Sequence, residues 1–350
     1  MKLPNCPTLE VDLESIRSNY QLLRNKAEHK NSASVVKANA YGLGVKQVSQ
    51  TLAQAGCKDF FVANLEEAIE FRQFDSASNL YVFNGIRKGQ RSDFIAHKII
   101  PVINDLAQLE YWQQAGNYAL HIDTGMTRLG ITPKQAYELP AKSPHLKLII
   151  SHLACADTPS HRKNAEQLEL FKQISKHFQG VSASLANSSG VFIGQNYHFD
   201  LLRPGCSLYG ISPNSELANP MQNCVKLSAP ILQYRKIDAE SDVGYGATSK
   251  VKKGSILATV EIGYADGFMR NLSNNFYGYA NNIKLPIIGR VSMDMLSVDV
   301  SEIPQELLRD DLRIEFINQN QPVDIMANAA KTIGYEIFTR IGNRVQRIYA

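Results

Sequence analysis

The chain has 350 residues, 44% of them hydrophobic, enough to bury a large core and to divide into two domains. Its 37 basic and 33 acidic residues leave a formal net charge of +4, without the dense Lys/Arg stripe of a nucleic-acid binder. The five cysteines (Cys6, Cys57, Cys155, Cys206, Cys224) form no Cys-x-x-Cys pair, and no signal-peptide or membrane-length apolar run occurs, so a soluble cytoplasmic protein with free thiols is expected. In chain order, Asp12 is placed to cap a helix whose apolar residues Leu13, Ile16, Tyr20 and Leu23 recur at helical spacing. Val35 and Val36 then read as the end of a buried strand that delivers Lys37 into a polar turn containing Asn39, Gly42 and Gly44, suited to close approach of a phosphate. A lone lysine past a strand is ordinarily a solvated surface residue. One beside low-dielectric strands loses its charge more readily, and its neutral amine can form a Schiff base.

Val45, Val48, Leu52 and Ala55 mark the next helix, which Gly56 ends, and 60–63 reads as a strand. The alternation continues with a helix over 65–74, strands over 80–83 and 99–103, a helix over 105–115 and a strand over 118–122. A strand over 146–150, a long amphipathic helix over 162–178 and strands over 181–185 and 199–202 follow. About eight strands, most followed by a helix, predict an α/β fold of the (β/α)8 TIM barrel kind, spanning residues 1–222. Beyond a linker with Pro213 and Pro220, short β-like segments at 256–262, 283–288, 295–300 and 312–317 predict a mostly β C-terminal domain over 223–350, with one helix over 323–333.

Barrel active sites lie at the carboxyl ends of the strands. Here those positions read Lys37, Asn64, Asn84, Asn104, Asp123, His152, Asn187 and Arg203, all polar or charged. Asn64 and Asn104 are explained as turn starters or helix caps, which leaves Lys37, His152 and Arg203 pointing to chemistry. A metal role for His152 has no companion ligand cluster.

Three groups of residues then carry a resemblance over essentially the whole chain: Val35-Val-Lys37-Ala-Asn-Ala-Tyr41-Gly, Asp123-Thr-Gly-Met-Thr-Arg128-Leu-Gly, and, in order, Gly244-Tyr245-Gly, Gly263-Tyr264-Ala-Asp and Gly289-Arg290-Val-Ser-Met293-Asp294. The chain resembles the alanine racemases, pyridoxal-phosphate enzymes built as a barrel plus a β domain. The resemblance implies that Lys37 carries pyridoxal 5'-phosphate and serves as base on one face of the substrate. It implies that Tyr245 from the partner subunit of a homodimer serves the other face, with D-alanine going to peptidoglycan. Tyrosine is a poor base at its free pKa of about 10, so neighbouring positive charge has to stabilise its phenolate.

By the same resemblance Arg128 meets the pyridoxal hydroxyl and the substrate carboxylate, and Met293 and Asp294 bind substrate. Arg203 donates to the pyridine nitrogen with His152 beside it. Tyr41, Ser188 after Asn187, and the backbone of Gly205 and Cys206 form the phosphate cradle. Tyr264, Arg270, Arg290 and Asp157 line the entrance, although Tyr264, like Tyr209, also reads as a core tyrosine. Two positions depart from the family pattern. His121 stands where many members have a carbamylated lysine that holds the arginine, so Arg128 needs another anion, a bound ion or a different hydrogen bond. Asn343 stands where the family often has a pocket-narrowing tyrosine. Racemases of serine or of several amino acids, decarboxylases of related fold, and silent cofactor carriers are the rival readings, the last disfavoured by the β-domain motifs.

Overall fold

The computed structural model describes residues 4–27, 31–112 and 114–350, which fall into two compact units. One is Glu14–Gln222; the other joins the described residues up to Leu13 with Asn223–Ala350. The strand β1 (Thr8–Val11) therefore belongs to the smaller unit.

The larger unit is built on parallel strands: β2 (Asn31–Ser32), β3 (Ser34–Val35), β4 (Asp59–Val62), β5 (Asn79–Val82), β6 (Ile99–Ile103), β7 (Tyr118–His121), β8 (Leu146–Ile150), β9 (Ser182–Ser184) and β10 (Leu201–Leu202). β3 to β9 form a seven-stranded sheet in sequence order, every pair parallel, and β10 pairs in parallel with β2. The amides of Asp200 and Arg203 donate to the carbonyls of Ala183 and Ala186, and those of Ala33 and Val35 to Leu202 and Pro204, all at 2.9 Å.

Strands buried on both faces need apolar residues at consecutive positions. Phe60 and Phe61 show how the two faces divide. Phe60 meets Phe71 of the covering helix Leu65–Arg72 at 5.1 Å between ring centroids. Phe61 points the other way and stacks on Tyr81 at 4.5 Å and on Phe83 at 4.9 Å. With Val35, Val102, Ala119, Leu148, Ile150 and Leu201 it forms a buried layer drawn from nearly every strand of the sheet.

Most expected helices and strands lie within a few residues of their observed bounds. Periodicity passes over the helices Arg91–Ala96 and Pro133–Glu138, which are too short to show a repeat. The second does carry a signal, a capping box at Thr132 and Gln135 with Pro133 opening the helix.

The smaller unit contains β11 (Val225–Lys236), β12 (Ser241–Val243), β13 (Ser249–Val251), β14 (Ile256–Val260), β15 (Tyr277–Ala280), β16 (Ile283–Ile288), β17 (Leu296–Asp299), β18 (Arg313–Ile317) and β19 (Gln346–Tyr349). Its main sheet runs β14-β17-β16-β15-β18-β11-β1-β19, and β11 also pairs with β14, so six of these strands close on themselves. That closure explains why β11 is a 12-residue strand and not one of several short segments. Its first part pairs with β1 and β18 and its second with β14, the register shifting between Ile231 and Gln233. The helix expected over 323–333 is instead two, Val323–Ala329 and Gly334–Arg340, separated where Lys331 takes a left-handed φ of 55°.

Assigning all of 1–222 to the barrel is thus corrected at its start. β1 pairs antiparallel with β11 and parallel with β19, which its sequence neighbours give no means to foresee. Arg313 fastens this segment: its guanidinium donates to the carbonyls of Pro4 (2.9 Å), Cys6 (2.8 Å) and Ser228 (3.1 Å) and to the hydroxyls of Thr8 and Ser228 (both 3.1 Å). Arg313→Ala leaves several of these acceptors without a donor and is expected to destabilise the protein by about 2–3 kcal/mol, read from the urea midpoint. An unchanged midpoint would show that water replaces the guanidinium without loss.

Candidate active site

In the larger unit the sequence-predicted residues gather where the parallel strands end. Lys37 follows β3 and is partly buried. The amide of Val36 still continues the ladder to the carbonyl of Phe61 at 2.9 Å. After Lys37 the chain reverses hand: Ala38, Asn39, Ala40 and Tyr41 have φ between 52° and 56°, a turn of left-handed helix. The Asn39 oxygen is already engaged: Oδ1 accepts from the Val45 amide at 2.7 Å, where the next helix starts. Tyr41 packs on Tyr209 with ring centroids 4.9 Å apart, and the Tyr209 hydroxyl donates to the Val35 carbonyl at 2.9 Å, which makes Tyr209 a core tyrosine.

The Tyr41 hydroxyl lies over Gly205 so closely that a Cβ there would come within 2.5 Å of it. Ser188 Oγ accepts from the amides of Gly205 (2.9 Å) and Ser207 (3.2 Å), and Asn187 Oδ1 accepts from Gly190 (2.9 Å). The cradle is therefore small-residue backbone beneath two hydroxyls. The Gly205 amide and the Asn187 oxygen are already committed within the protein.

Arg203 is 3% exposed; its guanidinium donates to Ser184 Oγ and, at 2.5 Å, to the Ser151 carbonyl. Burial lowers its pKa to about 9, so it remains charged at neutral pH. The loop carrying Arg128 is shaped by Asp123, whose Oδ1 accepts from the amides of Gly125 and Met126, both at 2.8 Å. It closes on a bond from the Ile131 amide to the His121 carbonyl, and a Cβ at Gly130, where φ is 110°, would meet Asp123 N at 2.8 Å. Arg128 itself is exposed, as is Asp157.

Three cations with little acid nearby set the charge state of the rest. Burial, then Arg203 and Arg128, push His152 down to about 3. Burial and Arg203 push His121 down to about 4, with Asp123 opposing. The Lys37 amine is lowered by burial and then by Arg128, against an upward pull from Glu67. Such a site attracts anions and shifts the lysine toward its nucleophilic, neutral form.

Asn104 is the residue sequence reasoning explained away. It is no cap: Asp105 Oδ1 accepts from the Gln108 amide at 2.7 Å. The Asn104 amide nitrogen donates to the carbonyls of Phe83 (2.8 Å) and Val102 (2.9 Å), so its oxygen must accept from His121 Nδ1, 2.8 Å away. The proton of the neutral imidazole is thereby fixed on Nδ1, leaving Nε2 as a lone-pair acceptor. Asn64, in contrast, does cap its helix, accepting from the Glu67 amide at 2.9 Å.

In the smaller unit Tyr245 is 70% exposed, and Tyr264 and Met293 are also exposed. The turn after Gly263 rests on the loop before β17, through bonds from Tyr264 N to Ser292 O (3.1 Å) and Ala265 N to Met293 O (3.0 Å). Arg344, which sequence reasoning missed, ties the two together. Its guanidinium bonds Asp294 at 2.7 Å and lies 3.0 Å from buried Asp266, an ion pair whose geometry falls short of an aligned hydrogen bond. Arg290 approaches Gly246 next to Tyr245, while Arg270 and Asn343 are exposed on the same unit.

The family profile described as "Alanine racemase, N-terminal domain" matches residues 11–213, and "Alanine racemase, C-terminal domain" matches 224–349. The chain belongs to the alanine racemase family. It is 44% identical to the alanine racemase of Rhodospirillum rubrum, covering 97% of this chain and 95% of the relative. It is 40% identical to a catabolic alanine racemase of Agrobacterium fabrum, covering 97% and 91%. Among solved structures, the alanine racemase of Bartonella henselae with covalently bound pyridoxal phosphate superposes with a TM-score of 0.92 at 36% identity, covering 99% of this chain and 100% of that one. In this member of the family two histidines of the larger unit carry a pH signature. Both have folded pKa values below the unfolded value of about 6.5, so the unfolded chain binds more protons and stability falls as pH drops from about 6.5 toward 4 and 3. The imidazoles of His121 and His152 are expected to show no NMR titration between pH 5 and 8; a midpoint above 6 for either would contradict the neutral assignment.

Proposed function

We propose that this protein interconverts L-alanine and D-alanine with pyridoxal 5'-phosphate, in the cytoplasm, as a homodimer. The observation that carries the reading is Lys37, an amine whose pKa is lowered by burial and Arg128, at a strand end and at the start of the turn that carries Tyr41, in a chain matched by the family along both domains. The seven parallel strands and the hydrogen bonds on both sides of β10 support closure of the larger unit as a (β/α)8 barrel.

The residues fit the cofactor by the chemistry of their donors: a lysine whose pKa is lowered, cations for an anionic phosphate, and a Gly205 whose missing Cβ lets the Tyr41 hydroxyl come close. Pyridoxal phosphate, when bound, supplies the electron-withdrawing ring that makes the Cα proton of an amino acid removable. Tyr41, Ser188 and the backbone at Cys206 would hold its phosphate end, with Gly205 admitting the Tyr41 hydroxyl and Asn187 setting the turn. Arg203 is a charged donor that would hydrogen-bond the ring nitrogen without surrendering its proton, with His152 kept neutral. Arg128 orients the substrate carboxylate. Lys37 Nζ takes or returns the Cα proton on one face and Tyr245 Oη on the other.

Tyr245 serves the site of the second copy, so each site joins one barrel to the partner's β domain. Its 70% exposure, together with exposed Tyr264 and Met293, supports a surface that meets another molecule. Met293 and Asp294 complete the substrate pocket, and Tyr264, Arg270, Arg290 and Asp157 line its entrance. Supply of D-alanine to peptidoglycan is the physiological role we infer, and requirement for D-alanine on depletion of the protein tests it against a catabolic role.

Chiral detection of D-alanine formed from L-alanine tests the reaction itself, and faster turnover of L-serine in the same panel would reassign the substrate. Lys37→Ala and Tyr245→Phe should each lower the rate by about 10²–10⁴-fold. Co-expressed, they form mixed dimers in which one site carries both defects and the other none. Random mixing returns about a quarter of wild-type sites. A stable mixed dimer with no recovered activity would show that both bases come from one chain.

With His121 in place of a carbamylated lysine, activity should be indifferent to bicarbonate after decarbonation. Restoration of lost activity by bicarbonate would show that another lysine carries the carbamate.

A further inference from the structure

Glu67 belongs to none of the groups above, yet it is bonded to the residue that follows Lys37. Its Oε1 accepts from the amide of Ala38 at 2.8 Å and its Oε2 from the amide of Ala63 at 2.7 Å. Asn64 caps the helix Leu65–Arg72 and accepts from the Glu67 amide, which fixes Glu67 at the third helical position. In an ordinary capping box a glutamate there reaches back to the amide of the cap residue. Here it reaches one residue further, to Ala63, and spends its second oxygen on a segment 29 residues away in sequence.

The place of this bridge is informative. β3 and β4 pair at Ser34–Phe60 and Val35–Phe61, and the last ladder bond runs from Val36 to Phe61. Beyond it the two chains part, one into the left-handed turn and the other toward its helix. The amides of Ala38 and Ala63 are both donors and cannot satisfy each other, so a carboxylate with two oxygens joins them. The left-handed turn is unfavourable for L-residues and stands only where its surroundings over-determine it. Glu67 holds its first amide, while the Asn39 side chain holds its far end.

We propose that Glu67 is the positioning residue for Lys37: its carboxylate clamps the start of the left-handed turn, at the residue after Lys37, to the end of β4. The carboxylate's charge acts against burial and Arg128, both of which favour the neutral amine. The clamp fixes the backbone from which the Lys37 side chain extends, and the charge favours the protonated amine. The catalytic significance rests on the role of Lys37 proposed above; the clamp itself does not.

Glu67→Gln separates the two possibilities. An amide offers one acceptor oxygen and an NH2 group to two N–H donors, so one bond is lost and the charge is removed. The full-length protein, freed of any cofactor with hydroxylamine, is compared with wild type by hydrogen exchange at Ala38 and Ala63 and by the pH dependence of Lys37 acylation. At least one of the two amides should exchange roughly 10- to 100-fold faster, and the Lys37 titration should move to lower pH. Glu67→Asp keeps the charge on a shorter arm, so it should speed exchange with a smaller shift in the lysine. Glu66→Gln, one residue away on the exposed side of the helix, should change neither.

Wild-type exchange or wild-type lysine titration in Glu67→Gln overturns the proposal. Should that variant fail to fold, an Ala38 amide exchanging at the unprotected rate in the wild-type protein overturns it equally. None of these measurements uses racemisation, so a protein that proves inactive on alanine leaves their outcome readable.

Discussion

A buried charge without a countercharge governs the larger unit. Arg203 is held by a hydroxyl and a backbone carbonyl, neither of which carries charge, in a site where desolvating a cation is costly. Its field is therefore not cancelled locally. Burial already disfavours protonation of His152 and His121, and this field adds to it, so two residues that elsewhere titrate near neutrality become fixed dipoles. The Ser184 hydroxyl passes the constraint on, receiving from Arg203 and donating to Leu201. The charge state at the strand ends follows from burial together with one residue that cannot easily be neutralised.

The outline of this arrangement was legible because parallel strands covered by helices write their pattern locally. Val35, Phe61, Val102 and Ile150 sit in apolar runs bounded by helical periods, and the residue after each run falls at the strand end. Lys37, Asp123, His152 and Arg203 were found in that way. What escaped depends on partners remote in sequence. Thr8 pairs with Ser228, and nothing near Thr8 announces it. Asn104 and Asp105 are both good capping residues, and only the structure shows that Asp105 caps while Asn104 is occupied with His121. Glu67 three residues after Asn64 spells a capping signal correctly and hides a second bond.

The smaller unit uses a different economy. Its exposed loops would be free to wander, yet backbone bonds tie the Tyr264 turn to the Met293 loop, and Arg344 spans Asp266 and Asp294. Arg344 acts through packing between loops, whereas Arg203 acts through its isolation. The half-buried Asp294 and the buried Asp266 give one guanidinium a hold on both the loop and the interior. Family motifs pointed to Tyr264, Met293 and Asp294 but not to the arginine that sets their spacing.

The left-handed turn after Lys37 has a consequence for what the chain can be made of. For each L-residue in that conformation Cβ crowds the following carbonyl, at about 1–2 kcal/mol per residue. Ala38 and Ala40 present the smallest Cβ groups that a non-glycine residue allows. A mirror-image residue has its comfortable helical basin where these two sit, so a semisynthetic chain with D-alanine at 38 and 40 would relieve strain without altering any side-chain atom. In this stretch the stereochemistry of the building block, and not its polarity or size, is the property that the fold works against.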